Sequence, residues 1–267
     1  MRWVRPRVYL LAKPQVIQET YLAWLRSIGF SEHAASHDWA VLGDSGEALV
    51  TLAGRRCYLS FGVGVNPNIT KVREDGQKYL NNLLNSGHGS VLEHANFTFA
   101  IEGVSRVFTG EMNRHRAGMA ISEGSMRYIR YNDIPIVEVP SLRNTEDSHI
   151  SEIRNRIETA VKSIESWYNL LVKDIGIEGA IKFVDKKIGT SLVRRILPMG
   201  IATGGVWTGN VRAWRHILAL RGTEQAEEEI KEVVKLILVE LKSYASLLFA
   251  DMFSDNEGNI ITKYVKV

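Results

Sequence analysis

Hydrophobic and polar positions alternate most cleanly over residues 95–102, where Phe97, Phe99 and Ile101 fall on one side and Asn96, Thr98 and Glu102 on the other. A period of two is that of a strand with one buried and one open face. Residues 7–11, and residues 134–139 with Pro135 and Pro140 at their ends, read as further strands. Elsewhere the apolar spacing is three and four, the period of an amphipathic helix. It predicts helices over residues 15–27, 46–60 and 70–85, and a short one over 105–114. In the second of these, Leu49, Ala53 and Cys57 recur every four residues, so the spacing predicts one packed face with Cys57 as a small hydrophobe on it. The second half of the chain is mostly helical by the same criterion. Ile150, Ile153, Ile157, Val161, Ile164, Trp167, Leu171 and Ile175 mark a helix over residues 147–175. Shorter helices are expected over 177–185, 189–196 and 209–220, and Ile230, Val234, Ile237, Leu241, Tyr244 and Leu248 mark a long one over 223–249. Stripes this wide suit packing across a subunit interface as well as within one chain. Strands early and helices late argue an α+β fold rather than alternating α/β.

Composition adds boundaries. The 267 residues are 45% hydrophobic and 24% charged, ordinary for a soluble globular protein. No repeat, low-complexity tract or Pro/Gly/Ser-rich linker divides the chain, so residues 1–267 are read as one domain. No uncharged run approaches the roughly 18–20 residues a bilayer span needs, and no membrane partner is expected. The opening MRWVRPRVYLLAKPQ has too short an apolar run for a secretory signal, which leaves the cytoplasm as the expected location. Lys and Arg number 33 against 30 Asp and Glu, and a net charge of +3 makes no case for a nucleic-acid partner by itself. A single cysteine excludes an internal disulfide and a cysteine-based zinc cage.

Three polar constellations carry the candidate chemistry. Residues 111–130, EMNRHRAGMAISEGSMRYIR, hold Arg114, His115, Arg116, Arg127 and Arg130, interleaved with Glu111, Ser122, Glu123 and Ser125. Guanidinium forks and serine hydroxyls suit a phosphate-bearing small molecule. A solvated basic loop or a nucleic-acid patch is the competing reading, against which the two glutamates count because carboxylates repel a phosphate backbone. In GHGSVLEH, residues 87–94, His88 and His94 stand six apart with no third histidine at useful spacing, so no metal is expected; Glu93 and His94 either hold a loop beside a ligand or are satisfied surface groups. In residues 207–221, Arg212, His216 and Leu220 share one helix face. Asn210 lies near the start of that helix, where free amides favour anions. Arg221 lies at its end before Gly222, where the helix dipole favours a cation whatever its role. Arg194 and Arg195, ahead of Ile196-Leu197-Pro198, are equally open. There is no Gly-rich dinucleotide fingerprint, P-loop or Gly-x-Ser-x-Gly elbow.

Taken together, the three constellations resemble the flavin-dependent thymidylate synthases (the ThyX family). The central match is Arg114-His115-Arg116 followed after eight residues by Ser125 and then by Arg127-Tyr128; GHGSVLEHANFTFAIEGVSR precedes it, and ILP at 196–198 and TGNVRAWRHILALR at 208–221 follow in order. The match runs over residues 46–250. It implies a single-domain fold of antiparallel or mixed sheet with long helices, and a homotetramer with active sites shared between subunits. It also implies a methyltransferase that converts dUMP to dTMP without a protein cysteine nucleophile. FAD is the implied cofactor, NADPH the hydride source and 5,10-methylenetetrahydrofolate the carbon donor. By the resemblance, FAD contacts fall on Ser90, Arg114, His115, Arg116, Glu123, Asn210, Arg212 and His216. Those of dUMP fall on Glu111, Arg114, Glu123, Ser125, Arg127, Arg194 and Arg221, with Arg221 as the catalytic residue that polarises the uracil ring. The sequence departs from the family pattern at Glu111 and Glu123, where glutamine is also common, and at Gln225, where histidine is usual. Val91, Gly124 and Met126 depart as well. A relative that methylates UMP is the neighbouring alternative, and a non-catalytic nucleotide- or RNA-binding protein is the alternative of another class.

Overall fold

The computed structural model describes residues 1–31, 42, 45–73 and 75–264. In chain order its elements are β1 (Arg2–Val4), β2 (Arg7–Ala12), α1 (Gln18–Ser27), α2 (Gly46–Tyr58), α3 (Gly76–Asn85), β3 (Asn96–Ser105), α4 (Arg106–Met112), β4 (Met119–Glu123), β5 (Pro135–Val137), α5 (Ser148–Asp174), α6 (Phe183–Val193), β6 (Ala202–Asn210), α7 (Val211–Arg221), α8 (Glu228–Tyr244), β7 (Met252–Ser254) and β8 (Ile260–Thr262). Short 3-10 turns lie at Gly89–His94, Pro140–Leu142, Arg194–Ile196 and Ser246–Phe249.

β3 is the strand that the alternation predicts. Phe97, Phe99, Ile101 and Val104 are all fully buried, while Asn96 and Glu102 face out. Strict alternation from Ile101 would turn Val104 outward; the register shift between Glu102 and Val104 restores it to the core. Gly103 supplies the kink with φ +70, a conformation open to glycine at little cost. β3 pairs antiparallel with β2 on one side and β6 on the other, and β4 completes the four-stranded order β2-β3-β6-β4. β1 and β5 form a separate parallel pair, tied to the start of β6 by the Ile136–Ile201 bridge. The fold is thus mixed helix and sheet with an antiparallel main sheet, as expected.

Helices cover one face of that sheet. Phe99 packs edge-on against Trp214 of α7, with ring centres 5.2 Å apart. Leu80, Leu83 and Leu84 of α3 and Ile230, Val233, Val234, Ile237 and Leu241 of α8 close the same core. Arg215 is buried in a charge pair with Asp251 (2.8 Å) and also donates to the Leu248 carbonyl, which pins the β7–β8 hairpin under α7. Such a pair holds its partners in one geometry, because a buried charge left alone is costly.

Several expectations need correction. Cys57 is exposed rather than packed. The buried stripe of α2 runs through Ala48, Val50, Thr51, Gly54 and Arg55, away from the face shared by Leu49, Ala53 and Cys57. Arg55 belongs to that stripe because it donates to the carbonyls of Ser60 and Arg73 and lies over the Tyr79 ring. In α5 only Val161 and Tyr168 are buried, and Trp167 and Ile175 of the predicted stripe are exposed. Tyr244 is likewise exposed at the end of α8, and Leu248 is buried beyond that helix, in the following turn. The two helices expected over 177–185 and 189–196 are one, α6, followed by a 3-10 turn. The apolar spacing predicts neither β6, whose ATGGVWTGN carries three glycines, nor β4 inside the arginine-rich stretch.

Phe99→Ala removes a fully buried ring between β3 and α7. It should lower unfolding free energy by about 3–5 kcal/mol, measured by urea titration against the parent protein.

Candidate active site

β3 runs straight into α4 and β6 runs straight into α7, so the two helices start from opposite ends of one antiparallel ladder. Each start is capped by its junction residue. Ser105 Oγ accepts from the amides of Val107 and Phe108, and Asn210 Oδ1 accepts from that of Ala213. The C-terminal ends then meet. Arg221, the last residue of α7, donates from Nη1 to Glu111 Oε2 at 2.6 Å and from Nε to His115 Nε2 at 3.0 Å. Two converging helix C-termini concentrate negative partial charge, which favours the arginine.

The donation from Arg221 requires His115 Nε2 to be unprotonated, so the ring is neutral with its proton on Nδ1. Burial, aided by the positive charge of Arg221 and Arg114 nearby, pushes the His115 pKa down to about 4. His216 stands edge-on to it at 5.9 Å between ring centres. As expected, Arg212, His216 and Leu220 share the exposed face of α7. Arg212 reaches Glu93 at 2.6 Å, joining α7 to the Gly89–His94 turn on which Ser90 is exposed.

A second grouping lines a cleft of about 650 Å³, within the range of small-molecule sites. Arg106, Arg114, Glu123, Arg194 and Arg195 surround it. Arg106 pairs with Glu123 and donates to the Gly124 carbonyl at 2.6 Å; Asn113 donates to Glu123 at 2.8 Å. Arg106, whose buried Nε has no partner among the described residues, and Asn113 carry no signal in the sequence pattern beyond the position of Arg106 at a strand-to-helix junction. Ser125 and Arg127 sit on the adjoining turn, where the Ser125 hydroxyl accepts from the Arg127 amide, and Arg127 is exposed. Arg116, the residue after His115, is exposed and is not among the residues that line the cleft. His88 Nε2 lies 2.8 Å from the Tyr58 hydroxyl, with the two rings stacked. Cys57 belongs to neither grouping.

Four arginines around a cleft in an α+β protein have the chemistry that suits a polyanionic small molecule. Residues 41–245 match the family model described as thymidylate synthase complementing protein. The chain is 34% identical to a flavin-dependent thymidylate synthase of Mycobacterium tuberculosis and 36% identical to one of Mycobacterium marinum. Each match covers 220 residues, 80% of this chain and 82% of the relative. The solved structure of a UMP/dUMP methylase, PolB from Streptomyces cacaoi bound with 5-Br UMP, shares the fold at a TM-score of 0.64 and 16% identity, over 94% of this chain and 96% of that one. The chain belongs to the flavin-dependent thymidylate synthase family.

The His115 shift has a stability consequence. Its pKa is lower folded, about 4, than the ordinary 6.5, so between those values the unfolded chain binds the extra proton. The contribution is therefore complete above pH 6.5 and is lost as pH falls towards 4. Glu229, raised to about 6, acts with the opposite sign, so the comparison is between variants. His115→Gln should flatten the fall in urea midpoint between pH 6.5 and pH 4 relative to the parent.

Proposed function

We propose that this protein methylates C5 of dUMP to give dTMP, with 5,10-methylenetetrahydrofolate as carbon donor, NADPH as reductant and FAD as resident cofactor. The observation that carries this reading is the placement of Arg221. A cation held by Glu111 and a neutral His115 stands at the meeting point of α4 and α7, and Arg114, which lines the arginine cleft, follows α4 by two residues. In the cleft, Arg114, Arg194 and Arg195 would neutralise the nucleotide phosphate, while Arg106 holds Glu123. Ser125 and Arg127 on the neighbouring turn would complete the nucleotide contacts with Glu111 and Glu123. Arg221 would stabilise negative charge developing on the uracil ring, making C5 nucleophilic; a fixed cation does this without reorganising when charge appears. C5 loses its proton and bonds the methylene carbon, whose two bonds to folate nitrogens break to release tetrahydrofolate; a hydride equivalent originating in NADPH, which leaves as NADP+, makes that carbon a methyl.

The residues around the start of α7 fit FAD. A Cβ at Gly89 would stand 2.9 Å from Arg212 Nε, and one at Gly118 would stand 2.5 Å from Asn210 Nδ2. The backbone is therefore kept close around a helix N-terminus, which suits a pyrophosphate. Ser90, Asn210, Arg212 and His216 would hold the flavin from this side, and Arg114, His115, Arg116 and Glu123 from the other. When bound, FAD supplies hydride chemistry that no side chain possesses. Cys57, exposed on α2 and outside the cleft, supports chemistry without a thiolate nucleophile. A homotetramer with shared active sites fits the apolar side chains left open on and beside α6, including Ile181, Phe183 and Val184. No helix among the described residues is long and apolar enough to cross a membrane.

The purified protein should be yellow and should oxidise NADPH faster when dUMP is added. A colourless protein that FAD cannot reconstitute would overturn the reading. Arg221→Ala should lower dTMP formation by about 10²–10³-fold while flavin absorbance is retained. The name of the PolB neighbour supports a second substrate, UMP, and turnover with dUMP and UMP side by side distinguishes the two.

A further inference from the structure

Glu229, in the first turn of α8, is only 1% exposed, and no step above uses it. Its carboxylate accepts from both donors of a single residue, the Ser105 amide at 2.6 Å and the Ser105 hydroxyl at 2.5 Å. Ser105 is the cap of α4, and its Oγ already satisfies two amides of that helix. A capping serine needs no buried carboxylate behind it, and burial disfavours the charge, pushing the Glu229 pKa up to about 6. The carboxylate thus does something that capping alone does not require.

What it does follows from the chain path. α7 ends at Arg221 and α8 begins at Glu228, so both grips on α4 come from consecutive elements. Arg221 holds Glu111 near the C-terminal end of α4, and Glu229 holds Ser105 at its N-terminal end. The seven-residue helix between them is about 10 Å long. Other charged groups nearby are engaged elsewhere: Glu228 with Ser141, Glu232 with Arg143, and Arg106 with Glu123, while Glu227 caps α8.

We propose that Glu229 is a positioning residue for the Arg221 centre: by holding Ser105 it fixes the start of α4 against α8, and so places Glu111 and His115 on Arg221. The importance of that centre rests on the proposed function, whereas the test reads its geometry directly. NMR titration of the His115 imidazole, assigned with His115→Gln, reports whether the ring remains buried against Arg221, His216 and Arg114. The parent should titrate near 4, and Arg221→Ala marks the upward shift when the guanidinium is lost. Glu229→Gln and Ser105→Ala should each move His115 towards 6.5 by about half a unit or more with far-UV circular dichroism unchanged. Glu229→Asp, which keeps both acceptor oxygens, should move it less. Folded Glu229→Gln and Ser105→Ala proteins with parental His115 titration, and only a lower melting temperature, would overturn the proposal. So would a parent His115 that titrates near 6.5. Should Glu229→Gln fail to fold, Ser105→Ala and Glu229→Asp decide. Turnover of dUMP is measured on the same preparations: its absence with His115 at its low value refutes the proposed function and leaves the positioning result standing.

Discussion

One-sided burial of β3 is the constraint on which the rest of the structure depends. Its four inward side chains admit a single register, because a slip of one residue would turn Phe97, Phe99 and Ile101 into water. With β3 held, β6 pairs along its whole length, from Asn96 opposite Asn210 to Ser105 opposite Ala202. Each strand exits directly into a helix, so the ladder fixes where α4 and α7 begin. Their capping residues, Ser105 and Asn210, set how the helices leave the sheet. The meeting of Arg221 with Glu111 and His115 is then a geometric result of sheet register and helix length.

Electrostatics at that meeting point are arranged rather than neutralised. Glu111 in the last turn of a helix is unfavourable to the dipole, and Arg221 offsets it from the adjacent helix end. His115 accepts a hydrogen bond from a permanent cation, which forbids its own protonation and fixes its tautomer. The grouping around the nearby cleft uses the same logic: Arg106 and Asn113 both hold Glu123, so the carboxylate has a defined direction among arginines. A site built from pairs of this kind keeps its charges oriented before any ligand arrives.

The elements legible in the sequence are those whose burial is periodic: β3 by its alternation, α7 and α8 by their three-four spacing. The elements missed are those whose identity comes from neighbours. β6 carries Gly204, Gly205 and Gly209 and has little strand propensity, yet it is the partner that β3 needs. Spacing puts Cys57 on the packed face, whereas the buried face holds Arg55, satisfied by the backbone carbonyls of Ser60 and Arg73, which no hydropathy pattern registers. The apolar stripe of α5 predicts more burial than the helix has, since a helix at the periphery buries only what its few neighbours can cover.

By itself, then, the sequence determined the residue types available for chemistry, the caps and ends of the helices, and the family resemblance carried by four ordered blocks. Arginine blocks 80 residues apart in the chain can be named from sequence, but periodicity is local and says nothing of which blocks touch. Only the tertiary structure decided that Arg221 faces Glu111 and His115, that Arg106 and Asn113 hold Glu123, and that Glu229 reaches Ser105 across 124 residues of chain. Those pairings depend on strand order and helix direction, which long-range packing selects.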